Sequence, residues 1–132
     1  MFKAAIKTAT TATANTNIPF AVAINTNNNT SYNAVNNSVR ISRTGYYDVD
    51  LTLVGTGFAA GDISAQIFAD GEAIAEAIAT ATVSATTDVI TLNISDLVKV
   101  ISAAAFSHAD LSVRLSAAGT INSAILTVTK IR

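Results

Sequence analysis

The strongest constraint in this sequence is a period of two. Tyr47, Val49, Leu51 and Leu53 alternate with Tyr46, Asp48, Asp50 and Thr52. An extended strand sends these two sets to opposite faces, one apolar and one mostly polar. The same alternation places Val89 and Thr91 against Ile90, Leu92 and Ile94. It sets Leu111, Val113 and Leu115 against Ser112, Arg114 and Ser116, and Leu126 and Val128 against Thr127 and Thr129. β-Branched residues dominate these runs, as a pleated surface prefers.

Punctuation falls between the runs at Asn25–Asn29, Asn36-Asn37, Gly45, Gly55–Gly61, Asp70-Gly71 and Ala118-Gly119. Short strands spaced by such turns read as an antiparallel β-sandwich or barrel. Asp70-Gly71 favours the primed two-residue turn whose twist matches a hairpin. Two segments fit a helix as well. Residues 72–81 place Ile74 and Ile78 four apart, although the adjoining turn and Thr82-Val83 favour a strand. Residues 95–106 open with Ser95-Asp96 as a cap and place Leu97, Val98, Ile101 and Ala105 at helical spacing, which predicts one short helix. Pro19 stands at the start of a candidate strand, where a missing donor is tolerated.

The chain's 132 residues fit one domain, read as an N-terminal strand or arm over 1–15 and a sandwich over 16–132. Half of the residues are hydrophobic, enough for a core without disulfides or metal, and cysteine is absent. Only 13% are charged, against about 25% in an average domain. A surface built from Thr, Ser and Asn resists association weakly, which fits a chain that lives in an assembly. A net charge of -1 with eight scattered basic residues leaves no footprint for nucleic acid. The apolar runs are too short for a secretory core or a membrane span.

Catalytic patterns are thin, and the reading is non-enzymatic, with no catalytic residue, metal or other cofactor. The single His108 stands near Ser107 and Asp110, but no serine sits in a nucleophile-elbow glycine frame. Asp48 and Asp50 share a strand face without a calcium-loop spacing, so they read as a solvated face. Gly55, Gly57 and Gly61 lack the Lys-Ser/Thr pair of a phosphate loop and read as a long turn. The Asn-x-Ser/Thr matches at Asn28, Asn29, Asn36 and Asn93 follow from composition. The plausible stacking aromatics are Tyr32, Tyr46 and Phe58. Ile125 and Ile131 oppose Leu126 and Val128, a surplus of apolar residues on a second face that makes them candidates for an oligomer interface.

Gly45-Tyr46-Tyr47-Asp48-Val49 resembles the glycine-x-tyrosine strand of the complement globular-head and tumour-necrosis-factor-like jelly rolls, with 38–41 as the strand before it. Ile67-Phe68-Ala69-Asp70-Gly71, 89–100 and 123–130 resemble later strands of those domains. The resemblance implies a jelly roll that forms compact homotrimers through one sheet face. The charge-poor, cysteine-free, Ala/Thr/Asn-rich character also resembles small structural proteins of tailed bacteriophages. What it implies is a virion component, such as a head-decoration, head-fibre or spike protein, whose partners are itself and other virion proteins. The alternative is a receptor- or carbohydrate-binding tip module of a phage fibre, or of a bacterial surface or extracellular protein.

Overall fold

The computed structural model describes residues 1–26, 30–100 and 109–131. Eleven strands occur among them: β1 (Phe2–Ile6), β2 (Thr10–Ala12), β3 (Ala21–Asn25), β4 (Thr30–Asn33), β5 (Ser38–Ile41), β6 (Gly45–Thr56), β7 (Gly61–Ala69), β8 (Glu72–Val83), β9 (Ile90–Val100), β10 (Ala109–Leu115) and β11 (Gly119–Lys130). All pair antiparallel. One sheet runs β3-β1-β11-β6-β9, with β2 added alongside β11. The other runs β4-β5-β10-β7-β8. Two such sheets stacked through non-sequential neighbours make a jelly roll.

The alternation read from the sequence is what builds the core. Tyr47, Val49, Leu51 and Leu53 of β6 are buried, as are Leu111, Val113 and Leu115 of β10. Tyr47 lies wholly inside, and its hydroxyl donates to the Arg43 carbonyl at 2.9 Å, which satisfies the one polar atom it carries into the core. On β11 the phase changes. A strict period of two from Ile121 would bury Ser123. A register irregularity between Ile121 and Ser123 inserts one residue, and Ala124, Leu126 and Val128 then face inward with Ile121.

The Asp70-Gly71 hairpin forms as expected. Ala69 pairs with Glu72, Asp70 has φ 52° and Gly71 φ 83°, the two positive values of a primed turn. Residues 72–81 are strand throughout. Their apparent four-residue spacing is absorbed by a register break opposite Ile67. Within it Ile74 packs against the core, while Ile78 at its far end is exposed. The Gln66 amide donates to the Ile74 carbonyl at 3.2 Å and ties the irregular stretch down.

The expected short helix over 95–106 is corrected over its described part. Ser95–Val100 complete β9, and each residue pairs with β6, from Asp50↔Ser95 to Gly45↔Val100. The long partner strand offers a backbone hydrogen-bond ladder there, and Val98 and Val100 enter the core while Leu97 and Lys99 point out. Ser95 is a strand residue and caps nothing. Residues 101–106, with His108 and Asn28-Asn29, lie outside the described residues. No helix occurs among the described residues.

The N-terminal segment is built into the sandwich. Phe2 and Ala4 are fully buried in β1, between β3 and β11, and Ala12 joins the core from β2. The Met1 ammonium donates to Thr26 Oγ1 at 3.0 Å and the Thr26 amide donates to the Met1 carbonyl at 3.0 Å, closing the end of the β1–β3 pair.

Candidate functional site

The outer face of the six-stranded sheet combines regular geometry with apolar exposure. Strand pairing lines its side chains up in rows. In one row Ile125 of β11 lies between Thr52 of β6 and Ala5 of β1. In the next, Asp50, Thr127, Lys3 and Ile24 run from β6 to the β3 edge. A third holds Leu97, Asp48 and Thr129, and beyond it Tyr46 pairs with Lys99. Ile131 follows β11 at that end, where its amide donates to the Tyr46 carbonyl at 2.8 Å.

Several of these positions leave large apolar side chains in water. Ile125 is 43% exposed in the middle of the sheet, Leu97 is 54% exposed and Ile131 60%. Ile24 is exposed on the β3 edge. Between Ile125 and that edge lies a hollow of 480 Å³ lined by Ala5, Ile6, Ala23 and Ile24 with the stems of Lys3 and Lys7. Burying one such isoleucine fully stabilises by roughly 1.5–3 kcal/mol, so a second surface fitted to this face gains from several at once.

The polar part of the face is centred on Asp48 and Asp50. Burial pushes the Asp48 carboxyl above the usual carboxylate range, and the neighbouring Asp50 charge and a hydrogen bond between the two carboxyl groups push it the same way. Neither makes an ion pair among the described residues. At the far end the Lys99 Nζ stands 5.6 Å from the Tyr46 ring centroid, within cation–π range.

The three aromatic candidates are not brought together. Tyr46 lies on this face. Tyr32 is on β4 in the other sheet, half-buried, and its hydroxyl accepts from the Phe20 amide at 2.9 Å and donates to Asn37 Oδ1 at 3.2 Å. It braces the segment before β3. Phe58 is 1% exposed and presents no free face for stacking. Its ring fills the space over Gly55 and Gly119, two positions without a side chain. An aromatic in a glycine-rich turn reads as exposed until the chain that covers it is known.

Ile125 sits at the centre of the apolar face, and Ile131 at its end beside Tyr46. Leu97 and Ile24 escape a reading by sequence alone. Leu97 is out of phase with Val98 and Val100, a signal masked by the helical spacing of the same residues. Ile24 faces out because of the irregularity between Lys3 and Ala4 in the β1–β3 pairing. Among the described residues no group of three or more His, Cys, Asp or Glu side chains could hold a metal ion. No helix there is long and apolar enough to cross a membrane.

No protein-family profile and no curated protein sequence matches the chain. Solved structures do. The chain is similar to the Eiger TNF from S. frugiperda, with a TM-score of 0.73 at 14% identity over 99% of this chain and 93% of that one. It is similar to the globular domain of the zebrafish complement 1qA protein, with a TM-score of 0.74 at 7% identity over 99% and 96%. The PRD1 vertex protein P5 superposes with a TM-score of 0.61 at 12% identity over 99% and 96%. These likenesses show the fold: the jelly roll is that of the tumour-necrosis-factor-like and complement globular-head domains.

Proposed function

We propose that this chain is a non-enzymatic structural protein of a bacteriophage virion, a head-decoration, head-fibre or spike component. It works as a homotrimer in which the outer face of the six-stranded sheet is covered by neighbouring copies. The observation that carries this reading is the apolar outer face itself. Its opposite side already packs the sandwich core, and among the described residues Ile125, Leu97, Ile24 and Ile131 are left exposed, so a second molecule that covers them gains their burial. The low charge of the chain, 13%, removes the usual electrostatic barrier to close approach of copies. The virion placement draws support from the full-length likeness to a phage vertex protein, and the trimer from the resemblance to domains that cluster through this kind of sheet.

Size-exclusion chromatography with light scattering tests the assembly. The 13.6 kDa chain is expected to run at three times its mass at micromolar concentration, and Ile125→Arg, which places a charge in the centre of the face, is expected to give folded monomers. A monomeric parent protein overturns the trimer. Proteomics of purified phage particles tests the placement, and absence of the chain from them overturns it.

A further inference from the structure

The outer face of the five-stranded sheet, opposite the proposed self-association surface, holds a polar cleft of 300 Å³. β10 forms its floor, because Asp110, Ser112 and Arg114 project from one side of the strand. Asp70 in the β7–β8 turn and Asn17, which bridges to Arg114 from the segment between β2 and β3, contribute walls. We propose that this cleft binds a single saccharide ring, a hydroxyl-rich neutral ligand.

Arg114 is held ready for it. Its Cζ stands 4.3 Å from the centroid of the Phe68 ring, and its Nε donates to Asn17 Oδ1 at 2.8 Å. These two contacts fix the guanidinium plane, so little freedom is lost on binding. No carboxylate forms an ion pair with Arg114 among the described residues, which leaves both Nη groups as donors. Ser112, 6% exposed, lines the cleft and can offer its hydroxyl there. Asp70 accepts from the Asp110 amide through Oδ1 at 3.0 Å, so Oδ2 remains an acceptor.

The charge pattern selects the ligand class. Arg114 shares the cleft with Asp70 and Asp110, and Asp110 is already paired at 3.0 Å with Arg40, which stands outside the lining. A simple anion would meet two carboxylates, and a simple cation the Arg114 guanidinium. A sugar hydroxyl both donates and accepts, so adjacent hydroxyls on one ring satisfy Arg114 and Asp70 together. The volume lies at the low end of ligand pockets, about 300–1,000 Å³, which fits one ring and excludes a long chain lying within it.

Amide-detected NMR titration with glucose, galactose, mannose and N-acetylglucosamine at millimolar concentrations tests the site. At least one sugar is expected to shift the Asn17, Gly71, Ser112 and Arg114 signals to saturation. Arg114→Ala is expected to weaken that binding about tenfold or more, the loss of a charge-assisted hydrogen bond. Asp70→Asn weakens it too, while asparagine tolerates the positive φ and keeps the Oδ1 acceptor, so this variant decides the question if Arg114→Ala fails to fold. Light scattering on both variants should match the parent, which separates this site from the assembly surface. The proposal is overturned if no sugar shifts the cleft, if the shifts persist undiminished in the variants, or if the cleft responds to inorganic phosphate alone.

Discussion

The Phe58 ring lies directly against Gly119, so closely that a Cβ on Gly119 would overlap ring carbons Cδ1 and Cε1. Gly55 borders the same ring, where a Cβ would stand 2.9 Å from Cε2 and 2.8 Å from the Thr120 carbonyl oxygen. The turn after β6 and the start of β11 therefore lock together around one aromatic side chain.

This contact predicts the effect of the smallest possible side chain. Gly119→Ala forces the Phe58 ring out of its place and is expected to lower stability by about 1–3 kcal/mol, the range for overpacking a filled core. Urea unfolding followed by circular dichroism measures it. An alanine variant as stable as the parent would show that Phe58 has room to move.

Tyr32→Phe removes one oxygen and leaves the Phe20 amide without its acceptor. Phe20 is buried, so the amide has little water to turn to. The expected loss is about 1–3 kcal/mol, the penalty of an unsatisfied buried donor. Thermal unfolding of the two proteins side by side decides the point. A change within experimental error would mean that Tyr32 is not a brace.

The Asp48 carboxyl is held above its ordinary value, by burial first and by Asp50 second. The folded chain therefore binds this proton more tightly than the unfolded chain does. Its contribution favours folding most below the unfolded value and declines as pH rises through the folded value. Asp48→Asn removes that decline. At fixed protein concentration the variant is expected to melt higher than the parent at neutral pH, with the gain shrinking as pH falls toward about 4. A gain that grows in acid, or none at neutral pH, contradicts the assignment.

How far the sequence could be read differs from element to element. The β6 and β10 faces were legible because each keeps one phase along its length. The Asp70-Gly71 turn was legible because few residue pairs adopt two consecutive positive φ angles at little strain. The end of β9 was misread because Leu97, Val98 and Ile101 suit a helix as well as a strand, and the choice was made by β6, a partner some fifty residues away. Tyr32 and Phe58 look alike in the sequence as aromatics near turns, yet one props a loop through its hydroxyl and the other fills the space over two glycines.

Local chemistry alone determined that this chain is extended, where its tight turn falls, and that it carries more apolar surface than one core face needs. Those properties follow from alternation and backbone preference, which neighbours along the chain enforce. Only the tertiary structure decided which surplus residues share a face and which aromatic is buried. It also set Arg114 over Phe68 beside Asn17. Such placements depend on register and on irregularities between distant strands, where a single extra residue sends every following side chain to the opposite side.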